Sequence, residues 1–139
     1  MVSLLDTSAV VAALMPAHPR HAWARPYFGA EGASVCAHTL AELYAVLTAS
    51  PQFRMAPEKA ARAVEGLATR LKVVPLEPDM YLRSSQRLAA LGVGGGAIYD
   101  ALIAEATLSV KATQLVTLNA KHFVRLGKDI AGLVVTAEQ

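Results

Sequence analysis

Short aliphatic runs alternate with helical segments along the whole chain, and this alternation limits the folds that the sequence can adopt. The run at residues 2–5 is too short for a helix and aliphatic enough for an interior strand. The order of segments predicts an α/β fold, with a mainly parallel central β-sheet and helices on both faces. At 139 residues we expect a single domain over 1–139. Further strands are predicted at 34–37, 73–76, 115–118 and 133–136.

Caps, proline positions and helical spacing predict the helices between these strands. Thr7 and Ser8 are suited to cap the first helix, and Pro16 is expected to stop it. Pro75 indicates that the third strand ends there or lies at an edge. A glycine-rich loop at 92–96 separates two long helices. The predicted helices are 9–14, 23–28, a segment opening at Thr39, 56–71, 78–91, 97–109 and 120–125.

The amino-acid composition says more about the compartment in which the protein is found than about what it binds. The formal net charge of +2 argues only weakly for a polyanion, and a hydrophobic fraction of 54% favours homo-oligomerisation. The single cysteine, Cys36, excludes an internal disulfide framework and fits a reducing compartment, where we expect a small buried side chain. No signal peptide is predicted, and the uncharged stretches fall short of the roughly 20 residues that span a bilayer. We therefore expect a cytoplasmic protein.

Three acidic residues lie where the surrounding pattern predicts a buried or half-buried side chain. Asp6 ends the first aliphatic run, whereas Glu42 and Asp100 lie on apolar helical stretches. A carboxylate in such a place must be paired, protonated or bound to a metal, because desolvating an isolated charge is costly. None of the three has a basic residue nearby in the sequence.

The predicted topology brings these acids together with Asn119. Sites in open parallel sheets form beyond the carboxyl ends of the strands. Asp6 and Asn119 each follow a predicted strand directly, and Glu42 and Asp100 lie near predicted helix starts. Carboxylates about 5 Å apart repel one another by roughly 3 kcal/mol at an effective dielectric near 20. A hard cation such as Mg²⁺ or Mn²⁺ would hold them, and phosphodiester hydrolysis is its usual chemistry.

An ordinary structural interpretation of the same residues stays open. Asp6 could cap the helix that follows it, and Asp100 could favour the positive end of its own helix. Spacing along the chain does not separate these roles from metal binding.

Four segments, read in order along the chain, resemble the PIN domain, and most nearly the VapC-type toxin ribonucleases of toxin–antitoxin pairs. The resemblance implies that Asp6, Glu42 and Asp100 are the acidic ligands of Mg²⁺ or Mn²⁺ and that RNA is the substrate. It also implies a homodimer and a cognate antitoxin that occludes the site. The segments are Leu4-Leu5-Asp6-Thr7-Ser8, Thr39-Leu40-Ala41-Glu42-Leu43, Ile98-Tyr99-Asp100-Ala101-Leu102-Ile103-Ala104 and Leu115-Val116-Thr117-Leu118-Asn119-Ala120-Lys121-His122-Phe123.

Asn119 departs from the fullest pattern of the family, in which many members carry a fourth acid. An amide can accept a contact from water or metal but adds no charge, so this exchange should weaken a second metal site more than the first. We expect Asn119 to orient water or phosphate. The hydroxyls of Ser8 and Thr117 could bond the carboxylates or serve as ordinary cap and strand residues.

Two other functions compete with a toxin endoribonuclease. One is a catalytically weak PIN-like module that binds RNA or a partner protein, with the neutral Asn119 as its mark. The other is a PIN nuclease that acts in RNA maturation.

The aromatic and histidine residues carry weaker signals. We interpret His38 and His122, which border predicted site segments, as solvated or core histidines in preference to general bases. Trp23, Tyr27 and Phe28 could stack on bases or serve in packing or in an antitoxin groove.

Overall fold

The protein, described by a computed structural model over residues 1–137, contains one five-stranded sheet in the order β3-β2-β1-β4-β5. Every neighbouring pair of strands is parallel. This arrangement confirms the predicted α/β fold with a parallel central sheet. The strands are β1 (Ser3–Leu5), β2 (Ala33–Cys36), β3 (Lys72–Val74), β4 (Gln114–Val116) and β5 (Val134–Val135).

Helices connect the strands, and α5 and α6 have the predicted bounds. Pro78 occupies the first turn of α5, and Gly92 ends that helix with a φ of 68°, a conformation that suits glycine. Within residues 1–137, no helix combines the length and apolar character needed to cross a bilayer. The helices are α1 (Thr7–Leu14), α2 (His21–Phe28), α3 (Ala37–Ala49), α4 (Pro57–Arg70), α5 (Pro78–Leu91), α6 (Ala97–Ser109), α7 (Ala120–Val124) and α8 (Lys128–Ala131).

Helices cover both faces of the sheet, as predicted. Consecutive residues of β1 point to opposite faces, so Leu5 packs in one apolar cluster and Leu4 in another. The first cluster draws its helical residues from α1 to α4, and the second draws them from α5 to α8. Cys36 belongs to the second cluster and is fully buried, which confirms the prediction for that side chain.

The strand order reverses beside β1, and this reversal opens a crevice at the carboxyl edge of the sheet. The chain first builds β2 and β3 on one side of β1, then crosses to add β4 and β5 on the other. In open parallel sheets such a switch point is the usual place for a ligand. Asp6 follows β1 directly, and its N–H donates to the carbonyl of Val116 at the end of β4, 3.0 Å away.

Several predicted bounds were wrong, and two of them concern the site. The fourth strand ends at Val116, so Asn119 does not follow it directly. Helix α3 begins at Ala37 without a connecting loop, which places Glu42 in its second turn. Helix α8 was missed, because a four-residue helix is too short to show a helical period.

Candidate active site

Asp6 is the buried centre of a hydrogen-bond network at the switch point. Its residue exposure is 4%. One carboxylate oxygen, Oδ1, accepts from the Ser8 hydroxyl at 2.6 Å and from the Ala9 N–H at 3.0 Å. The other, Oδ2, accepts from the Thr117 hydroxyl at 2.7 Å. Both hydroxyls therefore bond a carboxylate, one of the two roles foreseen for them.

The same network makes Asp6 the N-cap of α1, which corrects the predicted cap at Thr7 and Ser8. Those two residues lie inside the first helical turn instead. Asp6 has β-region dihedrals and accepts from a backbone N–H three residues on, as an N-cap residue does. The ordinary role left open for Asp6 is thus real, and it fixes the carboxylate in one orientation.

No Lys or Arg of residues 1–137 forms an ion pair with Asp6. Burial raises the pKa of Asp6 from 3.8 to about 6, the negative charge of Asp100 adds to the rise, and the bonds from Ser8, Thr117 and Ala9 oppose it. The rise shows that desolvation outweighs the hydroxyl donors. A bound cation would supply the missing compensation.

Glu42 is half-buried on α3 and is held by the start of α1. The Thr7 hydroxyl donates to Glu42 Oε1 at 2.8 Å and lies 3.3 Å from the hydroxyl of Thr39, which is fully buried. Thr7 directly follows Asp6, so the two carboxylates are tied to adjacent residues of one turn. The sequence pattern had singled out Thr7 only as a cap.

Asp100 lies in the first turn of α6 with its side chain 23% exposed, and the imidazole of His122 is its nearest basic group. The Oδ2 atom is 3.7 Å from His122 Nδ1. Burial raises the pKa of Asp100, and the charge of Glu42 raises it further, whereas His122 and Arg125 lower it. The partner of Asp100 is therefore 22 residues away in the chain, beyond its neighbours in sequence.

The electrostatic coupling links the three acids, although they do not form a ready-made cage. Asp100 acts on Asp6, and Glu42 acts on Asp100. Within residues 1–137, no three His, Cys, Asp or Glu side chains lie close enough together to hold an ion as they stand. Oxygen donors of this kind are nonetheless the set that Mg²⁺ and Mn²⁺ prefer. The donor chemistry fits a hard divalent cation, and each acid is held meanwhile by a hydroxyl or a histidine.

Asn119 is exposed at the mouth of the same region. Its backbone N–H donates to the Thr117 hydroxyl at 2.8 Å, and its side chain makes no capping bond to α7. A cleft of about 490 Å³ is lined by Asn119, Glu42 and Ser8, among others, and Asp6 and Asp100 are not part of its lining. The structure thus brings Asn119 to the cleft of Glu42.

The aromatic residues near the site differ from those that the sequence pattern emphasised. Trp23 and Tyr27 pack on one another, with ring centroids 5.2 Å apart. The ring of His38 instead stacks on Tyr99, with centroids 4.8 Å apart and planes within 3°. His38 is thus neither freely solvated nor a core residue. No spacing rule pairs residues 61 positions apart, so the stack was not predictable.

Comparison with known proteins places these features in a family. Residues 3–129 match the PIN domain family. The chain is 36% identical over 122 residues to Ribonuclease VapC27 of Mycobacterium tuberculosis, a match that covers 84% of each protein.

Solved structures agree with that assignment. The DNA-bound VapBC structure from Salmonella typhimurium superposes with a TM-score of 0.70 at 26% identity, covering 98% of both chains. VapBC-1 from nontypeable Haemophilus influenzae gives a TM-score of 0.65 at 26% identity, covering 91% of this chain and 92% of the other. The chain therefore belongs to the PIN domain family, in its VapC-type ribonuclease group.

Proposed function

We propose that this protein is a Mg²⁺- or Mn²⁺-dependent endoribonuclease that acts as the toxin of a VapBC-type toxin–antitoxin pair. The observation that carries the proposal is Asp6, a carboxylate that is 4% exposed and has no Lys or Arg partner within residues 1–137. It lies at the switch point, electrostatically coupled to Asp100. Membership of the VapC-type group supports the choice of RNA as substrate.

In this proposal Asp6, Glu42 and Asp100 hold the ion, and their neighbours orient them. When bound, the cation supplies charge stabilisation at phosphorus and lowers the pKa of a water molecule. Ser8 and Thr117 fix both oxygens of Asp6 through the bonds described above. Such supporting hydrogen bonds orient the ligating atoms of metal sites.

Asn119 and the basic residues of α7 would deal with the substrate. The Asn119 side chain is exposed and carries both an acceptor and donors, so it can orient water or a phosphate oxygen. Lys121 lines a small cleft with Asn119 and His122, and the positive charge of Arg125 reaches Asp100. Contacts from such cations to phosphates would position the RNA without selecting its sequence.

The proposed partners are a cognate antitoxin and a second copy of this chain, in the cytoplasm. The two solved structures described above are VapBC assemblies, which supports an antitoxin. Large hydrophobic side chains on the surface, such as Leu91 and Val124, offer area for protein contacts. That one domain spans 1–139 also stays a prediction, since residues 138 and 139 lie outside the described part.

Cleavage of RNA by the purified protein tests the proposal. We expect cutting with Mg²⁺ or Mn²⁺, none with chelator, and a loss of at least about a hundredfold in Asp100→Asn, because a primary ligand matters at least as much as the 10–100-fold typical of its supporting groups. Asp79→Asn is the matched control, since Asp79 is an exposed carboxylate on α5 paired with Arg83. Full activity of Asp100→Asn would end the assignment of that residue. Growth arrest on expression without antitoxin, dependent on Asp100, would separate a toxin from a maturation nuclease.

A catalytically weak binding module is the second candidate, and two observations favour it. Asn119 stands where the family resemblance leads us to expect a fourth acid, and the three carboxylates do not already form a cage within residues 1–137. Calorimetric titration with Mn²⁺ separates the two functions. Saturable binding that is lost in Asp6→Asn supports the nuclease, whereas no heat at millimolar metal supports the binding module.

A further inference from the structure

The stack of Tyr99 on His38 joins the two helices that carry Glu42 and Asp100. His38 lies one helical turn before Glu42, so the two side chains share a face of α3. Tyr99 directly precedes Asp100 in the first turn of α6. The two rings are stacked and nearly parallel, with centroids 4.8 Å apart and an angle of 3° between their planes. The pair therefore lies one helical turn from Glu42 and next to Asp100 in the chain, within the candidate active site.

Tyr99 keeps much of its surface open although His38 covers one face of its ring. Its exposure is 48%. Because His38 covers one face of the Tyr99 ring, the exposed area includes the opposite face and the ring edge. Exposing the apolar face of an aromatic ring to water is unfavourable. A planar ligand that stacks on the ring would cover this face.

The backbone beside Tyr99 is open to approach. Gly94, Gly95 and Gly96 immediately precede α6, and a Cβ atom placed on any of them would meet nothing within 4 Å. A planar group can therefore reach Tyr99 over a surface without side chains. The nearby polar groups, Asp100 and the exposed His122, suit a solvated ligand better than an aliphatic protein surface.

We propose that Tyr99 and His38 form a base-binding platform, which receives an unpaired nucleobase of the RNA beside the phosphate that is cut. This inference rests on the proposed ribonuclease function. Stacking on an aromatic ring accepts any base, so the platform requires an unpaired nucleotide at that place more than a given sequence. It would restrict cutting to single-stranded or looped RNA.

Fluorescence of 2-aminopurine, scanned through every position of a short single-stranded RNA, tests the platform directly. With chelator present the RNA stays intact, and stacking on Tyr99 should quench the probe at every position that the bound RNA can present to the ring. Tyr99→Leu should abolish that quenching and weaken binding about tenfold, within the range for one stacked base. Tyr99→Phe, which keeps the ring, should behave as the native protein. Tyr81→Leu is the matched control, because Tyr81 is 47% exposed and lies on α5, which carries no proposed site residue.

The outcomes separate the platform from the nuclease function itself. If the native protein cuts RNA and Tyr99→Leu binds and cuts it equally well, the platform is wrong and the function stands. Quenching that depends on Tyr99, with no cleavage when Mg²⁺ or Mn²⁺ is added, would support base stacking at this site and reject the nuclease function. Loss of a dimer in Tyr99→Leu by light scattering, with RNA binding unchanged, would make this surface a contact between copies and overturn the platform.

Discussion

Two buried carboxylates in this molecule are stabilised in opposite ways. Glu105 on α6 is 6% exposed and accepts from Arg83 Nε at 2.7 Å, while the same guanidinium reaches Asp79 at 2.8 Å. Asp6 is 4% exposed and has only two hydroxyls and one N–H as donors. The first carboxylate has its counter-charge within the described chain, and the second does not.

This difference distinguishes a structural charge from one available to a ligand. Burying an unpaired charge is costly, so a chain keeps one where binding compensates for it. Glu105 joins α5 to α6 through its ion pair and needs nothing further. The buried charge of Asp6 destabilises the metal-free protein, and we expect a bound divalent cation to remove this destabilisation.

The largest expected effect is that of Asp6→Asn, which should lower activity and raise stability together. Activity should fall at least about a hundredfold, because a proposed metal ligand is lost. The metal-free variant should be more stable than the native protein near pH 7.5, by up to about 3 kcal/mol, because an uncompensated buried charge is removed while asparagine can still cap α1. Cleavage assays and denaturant unfolding in chelator measure the two changes. A variant that loses both activity and stability would mark Asp6 as structural only.

Comparing the pH dependence of unfolding between the native protein and Asp6→Asn should isolate the contribution of the buried Asp6 charge. Its folded pKa of about 6 lies above the ordinary value of 3.8, so between these values the folded state binds more protons than the unfolded state. The stabilising contribution is therefore complete below about pH 3.8 and is lost as pH rises through 6. In chelator, the free energy of unfolding should fall more steeply across this window for the native protein than for Asp6→Asn. Identical pH profiles would contradict the assigned burial of charge.

Arg83→Met should break the other side of the comparison. It leaves Glu105 buried without its cation, so we expect the free energy of unfolding to fall, by less than is usual for a fully buried pair because Arg83 is half-exposed. The double variant with Glu105→Gln should recover part of that loss. Arg70→Met is the control, because Arg70 makes no ion pair within residues 1–137. Cleavage per folded molecule should stay unchanged, and a large loss of activity would tie Glu105 to the site.

Thr117→Val should give the smallest of these effects, about tenfold in activity or metal affinity. The change keeps the shape of the side chain but removes the hydroxyl that donates to Asp6 and accepts from the Asn119 N–H. Thr117→Ser should retain function. Thr107→Val is a matched control, since Thr107 is also fully buried but bonds only a carbonyl of its own helix. Equal losses in both valine variants would indicate a general packing defect.

Local patterns were sufficient for most of the fold. A proline in the first turn and a glycine at φ 68° bound α5, and these signals lie within the segment itself. The edge position of β3 followed from Pro75 just beyond it. Strand ends without a proline or glycine were misplaced, as at β4, because Thr117 and Leu118 continue a sequence that is typical of a strand.

The candidate site was predictable as a set of residue types but not as a network. Asp6, Glu42 and Asp100 drew attention because each interrupts an apolar pattern, and Glu105 interrupts one in the same way. What separates Asp6 from Glu105 is the identity of their distant partners: the hydroxyl of Thr117, 111 residues from Asp6, and the guanidinium of Arg83, 22 residues from Glu105.

The local hydrophobic pattern, with its short strands and amphipathic helices in alternation, was enough to specify a parallel sheet. The pairing of each acid was decided by folding, because hydrogen bonds and ion pairs act over about 3 Å and depend on which distant segments come into contact. Four contacts of the site therefore exist only in the folded chain. They are the hydrogen bonds from Thr117 and Thr7, the approach of His122 to Asp100, and the stack of His38 on Tyr99.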